Sequence, residues 1–266
     1  MTAEQRFTFD EIGELYDRYR PGYPEALFED LLSLSGISPS DRILEIGCGT
    51  GQATLSLARR GYAMSCVEPG PRLASIARRN LAGFSGIDVV CETFETWPCE
   101  ISAFGLVFSA QAFHWLSPEL RFTRSAEALR PGGSLAVIGN AVVVDRSPHG
   151  GAGGPLREAL DDAYSRYAPS IQGPSVMGWY AKEGPIPALF SASGCFGTVV
   201  ARRYPWSHRY ETSDYLGLMA THSDHRLLPT EQRERLHDAI GQALDCSGGG
   251  IEVSYEANLY VGKLAA

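Results

Sequence analysis

Ile43-Leu44-Glu45-Ile46-Gly47-Cys48-Gly49-Thr50-Gly51 decides the fold of this 266-residue chain. A short, mostly apolar run passes without a break into glycines at alternate positions, and an amphipathic stretch, Gln52 to Arg60, follows. Glycine lets a backbone turn sharply and approach a ligand with no Cβ in the way. Glycine spacing alone is a weak sign, but a strand before it and a helix after it are the setting in which such a loop cradles a ligand. The carboxylate of Glu45, at the end of the strand, suits the amino group of an amino-acid-like moiety.

Working outward, short apolar runs alternate with longer amphipathic ones from Asp41 to Gly139, the rhythm of strand, helix and strand in a parallel sheet. Arg42 to Ile46, Tyr62 to Val67, Ile87 to Cys91, Leu106 to Ser109 and Ser134 to Ile138 read as strands. Gln52 to Arg60, Arg72 to Leu81 and Pro118 to Leu129 read as the helices between them, with Pro131-Gly132-Gly133 as a turn. Upstream, Asp10 to Arg18 and Pro24 to Ser35 are two more helices around the corner Arg20-Pro21-Gly22-Tyr23-Pro24.

Past Asn140 the texture changes. His149 to Pro155 holds Gly150, Gly151, Gly153 and Gly154 and reads as a joint leaving the core sheet. Leu156 to His225, rich in Tyr and Trp, reads as a lid that returns once to the sheet near Cys195 to Tyr204. Glu231 to Leu244 is helical, Cys246 to Gly250 a turn, and Ile251 to Val261 a last antiparallel strand. In the lid, Tyr164, Tyr167, Trp179 and Tyr180 are candidates for an acceptor pocket, as are Trp206, Tyr215, His222 and His225. Arg202 and Arg203 read as surface strand charges.

A second acid supports the glycine loop. Glu68 stands nineteen residues past Gly49, at the end of the second strand, where a carboxylate accepts hydrogen bonds from both hydroxyls of a ribose. A dinucleotide site usually needs GxGxxG, whose pyrophosphate rests on a helix N-terminus. Here Ala53 and Thr54 follow Gly51 and Gln52, and Glu45 puts negative charge where a diphosphate is disfavoured. An adenosyl sulfonium, positive and free of phosphate, fits an acidic glycine-lined loop better.

Composition narrows the classes further. A hydrophobic fraction of 44% and a charged fraction of 20% are those of a folded domain. A formal net charge of −8 supplies no general positive field for a phosphate backbone, which argues against nucleic acid as the main partner. Met1 to Asp10 has no signal-peptide pattern, and no apolar stretch approaches the roughly 18 residues of a membrane span, so a cytoplasmic protein is expected. The six cysteines form no CxxC pair and read as reduced, buried, inert thiols, with no metal site.

The chain resembles the class I S-adenosylmethionine (SAM)-dependent methyltransferases, within them the trans-aconitate methyltransferase-like small-molecule branch. The resemblance rests on Phe9-Asp10 through Tyr16-Asp17-Arg18-Tyr19-Arg20-Pro21-Gly22-Tyr23-Pro24, and on the glycine loop from Glu45 to Gly51. It also rests on Glu68-Pro69, Ala110-Gln111-Ala112-Phe113-His114-Trp115 and Leu129-Arg130-Pro131-Gly132-Gly133. It implies an α/β fold: a Rossmann-like, seven-stranded, mostly parallel sheet with helices on both faces and a lid insertion in the C-terminal half. Residues 1–140 are expected to form the SAM-binding core with its N-terminal helical cover, and 141–266 the lid with the last strands of the same sheet.

By position, Glu45, Gly47, Gly49 and Gly51 are implied to form the SAM loop, and Glu68 with Pro69 to hold the ribose. Thr93 and Phe94 flank the adenine; many relatives are acidic where Thr93 stands, which leaves the Phe94 backbone to meet the base. Ala110 and Gln111 lie against the methionine part, and Tyr16 and Arg20 close over the cofactor. His114 and Trp115, just past the fourth strand, are the candidate catalytic pair: a general base for the acceptor's proton and a ring facing the sulfonium. The expected reaction is methyl transfer to an O, N or C nucleophile of a small molecule, a carboxylate or secondary metabolite among the options, by a monomer or homodimer. The alternatives are transfer or cyclisation of the aminocarboxypropyl group, a non-enzymatic SAM-binding regulator, and an NAD-dependent oxidoreductase.

Overall fold

The computed structural model describes residues 10–143, 154–171, 177–181 and 183–265. Phe9 and most of the glycine-rich joint expected at His149 to Pro155 lie outside them. Runs too short and too apolar to expose a face become central strands: β1 (Ile43–Ile46) and β2 (Met64–Val67) are buried at every position. With β3 (Ile87–Val90), β4 (Phe104–Ala110), β5 (Leu129–Val142), β6 (Val200–Glu211) and β7 (Gly250–Lys263) they form one seven-stranded sheet. Its order is β3-β2-β1-β4-β5-β7-β6. The pairs from β3 to β5 are parallel, and β7 runs antiparallel to both of its neighbours.

Helices cover both faces. On one, α2 (Glu25–Ser35), α3 (Gln52–Ala58) and α4 (Pro71–Asn80) bring Leu27, Phe28, Leu31, Leu57 and Ala74 against Ile43, Cys66 and Leu106. On the other, α5 (Arg121–Ala128), α7 (Met177–Tyr180) and α8 (Ile186–Ser193) bring Phe122, Tyr180 and Phe190 against Leu44, Val107 and Val137. Each such fully buried Leu, Ile or Phe contributes about 1.5–3 kcal/mol. A third cluster belongs to the lid. There α6 (Gly154–Tyr167), α9 (Thr212–Ala220) and α11 (Thr230–Cys246) join Leu160, Leu218, Leu236 and Ile240 to Tyr210, Val253 and Tyr255 of the sheet's far end. α1 (Gly13–Tyr19) lies over the sheet's carboxyl edge, and α10 (Ser223–Arg226) follows α9.

Four expectations need adjusting. Pro131-Gly132-Gly133 is a bulge within β5 and not a turn before it: β4 pairs with Leu129 as well as with Ser134, and Gly132 takes a φ of 75°. β5 also continues past Ile138 to Val142, because β7 offers partners as far as Tyr255. The lid's return strand begins at Val200 and runs to Glu211, with only a single bridge from Phe196 to Leu264 before it. Cys48 and Cys66 are buried as expected, but Cys91 and Cys246 are exposed. Arg202 and Arg203 sit exposed on edge strand β6, where charge discourages further strand pairing. Among the described residues no helix is long and apolar enough to cross a membrane.

Candidate functional site

Strand order reverses between β1 and β4, and at such a switch point the loops leaving the strands' carboxyl ends splay apart. A cavity of about 770 Å³ opens there, a size that suits small-molecule ligands. Gly47 and Gly49 form one wall, with φ of 71° and 58°, in the left-handed region that glycine adopts at no cost. A Cβ at Gly47 would also collide with the Cβ of Ala112. Gly51 takes another part: it precedes α3 with a φ of 88°, packs on Leu81 of the α4 end and does not line the cavity.

The two acids divide in the same way. Glu68 lines the cavity, and its Oε2 and Oε1 accept the backbone N–H groups of Gly49 and Gly70, each at 2.9 Å. It thereby ties the loop after β1 to the loop after β2. Glu45 stands behind the wall, 1% exposed, and accepts the Thr54 hydroxyl at 2.5 Å. Burial, reinforced by the nearby Glu68 charge and opposed by the Thr54 bond, pushes its pKa up to about 8.

Pro69, Thr93, Phe94, Ala110 and Gln111 all line the cavity. Thr93 bonds to Thr96 at 2.6 Å, and Phe94 is 2% exposed with the Arg124 guanidinium 5.5 Å from its ring. Gln111, just past β4, takes a φ of 57°, a conformation rare outside glycine. Its side-chain amide donates to the carbonyl of Asn140 at 3.1 Å.

Tyr16 and Arg20 cover the opening from α1. The Arg20 guanidinium lies 5.3 Å from the Tyr16 ring and donates to Thr221 Oγ1 and O, both at 2.8 Å. Gln52 donates to the Arg20 carbonyl, and Asn140 Nδ2 to the Gly22 carbonyl, so the corner after α1 is held from the core. Asp10 accepts the N–H groups of Arg72 and Leu73, capping α4.

His114 and Trp115 lie in a single 3₁₀ turn after β4 and line the cavity. His114 Nδ1 is 2.7 Å from the Tyr180 hydroxyl, while its buried Nε2 meets no hydrogen-bond partner among the described residues. Burial, with Arg121 nearby, pushes its pKa down to about 4, so the ring is neutral at pH 7. Burial holds the Tyr180 phenol above its ordinary value.

Of the lid candidates, Tyr164, Tyr215, His222 and His225 line the cavity, whereas Tyr167, Trp179, Tyr180 and Trp206 do not. Asn140 and Met219 of the cavity wall, and Arg121 behind His114, are not candidates on sequence grounds. Asn140, 3% exposed, joins Gln111, Gly22 and Trp206; a lone amide inside the apolar run from Ala136 to Val142 is the signal that marks it. Met219 adds an apolar wall. Arg121, 7% exposed, rests its guanidinium 5.3 Å from the Trp179 ring, and nothing local in the sequence announces it. Among the described residues no group of His, Cys, Asp or Glu is placed to hold a metal ion.

Residues 43–133 match a protein family described as a methyltransferase domain. An uncharacterised methyltransferase of Mycobacterium tuberculosis is 32% identical over 143 residues, 53% of this chain and 56% of that protein, so the chain aligns with little more than half of that relative's length. An uncharacterised methyltransferase-like protein of Schizosaccharomyces pombe is 26% identical over 85% of this chain and 82% of its own. In three dimensions, an Anaeromyxobacter dehalogenans protein assigned to the type II methyltransferases superposes with a TM-score of 0.63 at 19% identity, covering 92% of this chain and 98% of that one. A Haemonchus contortus phosphoethanolamine N-methyltransferase, solved with phosphomonomethylethanolamine and S-adenosylhomocysteine, gives 0.54 at 15% identity over 97% of this chain and 58% of its own. Residues 43–133 thus match a methyltransferase domain family, and the seven-stranded sheet has the fold of solved methyltransferase structures.

Proposed function

We propose that this chain transfers a methyl group from SAM to an O, N or C nucleophile of a small-molecule acceptor. One observation carries the choice of cofactor: the Gly49 N–H, the loop donor that a dinucleotide's diphosphate would take, is already engaged by Glu68 Oε2 at 2.9 Å. A carboxylate there repels phosphate and attracts a cation. A carboxylate oxygen can accept more than one donor, so Glu68, which takes the N–H groups of Gly49 and Gly70, is of a type that can also meet ribose hydroxyls. Gly49, whose missing Cβ would face Tyr16 Cε1 at 3.8 Å, leaves the cradle between loop and cover open.

When bound, SAM supplies an electrophilic methyl on a positive sulfur. This chain's residues do the rest by position. Glu68 and Pro69 hold the sugar, and Thr93 and Phe94 flank the base. Gln111 and Ala110 lie along the amino-acid portion, with Glu45 behind the loop as its acid. Tyr16 and Arg20 exclude water from above, and most of the rate comes from alignment in a closed pocket. Trp115 presents a ring to the cationic centre. His114, neutral at pH 7, borders the acceptor space. The same reading divides the chain into a cofactor unit, 1–140, and a lid with the last strands, 141–266.

Calorimetry is expected to show binding of SAM and of S-adenosylhomocysteine, weakened at least tenfold in Glu68→Ala. Clear binding of NADH with neither adenosyl compound bound removes the assignment. Release of methylthioadenosine in place of S-adenosylhomocysteine would assign aminocarboxypropyl chemistry instead.

A further inference from the structure

At the lid end of the cavity a row of hydrogen-bonded side chains leads outward. Tyr164 of α6 lines the cavity, and its hydroxyl lies 3.0 Å from Nε2 of His225. His225 of α10 is 1% exposed and sets its Nδ1 3.1 Å from Nε2 of His237. His237 lies on α11 and is partly exposed, so the row joins the cavity wall to the molecule's exterior in three groups. The tyrosine sulfur contact, Met219 Sδ at 3.7 Å, lies beside the row and not in it.

One assignment of donors and acceptors runs outward along the row. A neutral imidazole donates from one nitrogen and accepts at the other. With the Tyr164 hydroxyl donating to His225 Nε2, the proton of His225 is on Nδ1 and donates to His237 Nε2, which leaves the remaining N–H of His237 facing away. Burial raises the Tyr164 phenol well above its ordinary value, so Tyr164 keeps its proton at rest. Burial, together with Arg233, lowers His237 below its ordinary value, so it rests neutral and able to accept. Among the described residues, charged or titratable groups around the row include Tyr215, Asp224, Asp238 and His222, whose ring centroid is 6.1 Å from that of His225.

We propose that Tyr164, His225 and His237 form a proton exit, and that the methyl acceptor therefore carries a neutral hydroxyl or amino nucleophile. This rests on the methyl-transfer reading above. As the nucleophile bonds to the methyl carbon, the carbon–sulfur bond breaks with its electron pair going to sulfur, and the nucleophile's own proton is left over. That proton passes to Tyr164 Oη as the Tyr164 proton moves to His225 Nε2. The Nδ1 proton of His225 then moves to His237 Nε2, and the Nδ1 proton of His237 leaves to solvent. An ionised carboxylate releases no proton on methylation and has no use for such a row. Tyr164 is the group that meets the acceptor; His225 and His237 act through it.

The test uses the full chain, methyl-labelled SAM and a metabolite extract, with His237→Ala and His237→Gln beside the wild type. Both substitutions sit at a partly exposed helix position. The labelled product is expected to resist mild alkali, as a methyl ether or methylamine does. Labelling by both variants should slow by about 100-fold, the lower reach of proton-transfer groups, with SAM affinity unchanged. Added imidazole should restore much of the rate of His237→Ala, which a merely structural role would not allow. An alkali-labile methyl ester, or variants that label at the wild-type rate, overturns the proton exit alone. Wild type that binds no SAM and labels nothing overturns the reading beneath it. Nitrogen-15 spectra of the resting protein give an arm that needs no acceptor: a His225 ring protonated on Nε2 would have the row running the wrong way.

Discussion

Glu45 and Glu68 serve one loop system, but their oxygens keep different company. Glu68 accepts the backbone N–H groups of Gly49 and Gly70; Glu45 accepts the Thr54 hydroxyl and is buried in an apolar strand, which disfavours its charged form. A carboxyl whose pKa is raised on folding binds its proton more tightly in the native state. Its contribution to stability is therefore complete below the ordinary carboxylate range and is lost as pH climbs through about 8. Glu45→Gln, which carries no charge to bury, should gain on the wild type as pH rises. Thermal melts at pH 6 and pH 9 are expected to show the variant's Tm rising relative to wild type at the higher pH; a gap that does not change with pH would mean Glu45 is not buried as a carboxyl. The acid of the motif was legible in the sequence, but its retreat behind the wall was not, since that depends on Thr54 arriving from α3.

At the scale of elements, the alternation of apolar and amphipathic runs was enough to order strands β1 to β5 and the helices between them, most plainly β1 and β2, which are short and apolar, although it cut β5 short at both ends. What local pattern could not show is where elements far apart in the chain meet. Asn140 is legible as an oddity in an apolar run, but its partners Gly22 and Trp206 lie 118 and 66 residues away. The His114 to Tyr180 bond likewise spans 66 residues, and Arg20 reaches Thr221 across 201. That last contact couples α1 to the lid. Two charge-assisted hydrogen bonds from one guanidinium, each about 1.5–3 kcal/mol, hold the cover down. Arg20→Met should keep the fold, speed amide exchange in α1 and in the turn after α9 together, and weaken SAM binding several-fold. Exchange that changes in α1 alone would show that the two elements open independently.

The whole molecule presents a rigid sheet edge below the cavity and two separate covers above it, α1 from the N-terminal side and the α6, α9 and α10 group from the lid. The glycine loop and Glu68 belong to the sheet, Tyr16 and Arg20 to one cover, and Tyr164 and His222 to the other. A ligand touching all three binds only the assembled arrangement, so its binding energy adds to the stability of the whole and not of one loop. At 100 times its dissociation constant such a ligand contributes about 2.7 kcal/mol. For a chain of this size that amounts to a rise in Tm of about 5–10 °C. S-adenosylhomocysteine, the product that remains once the methyl has left, is the probe for the cofactor part alone. It should raise Tm by this amount and slow amide exchange in the loop after β1, in α1 and in the turn after α9 that Arg20 ties to it, while α6 responds only when an acceptor is also present. Protection confined to the glycine loop would mean that α1 is no cover, and an unchanged Tm at saturating concentration would mean that the cradle does not hold an adenosyl group.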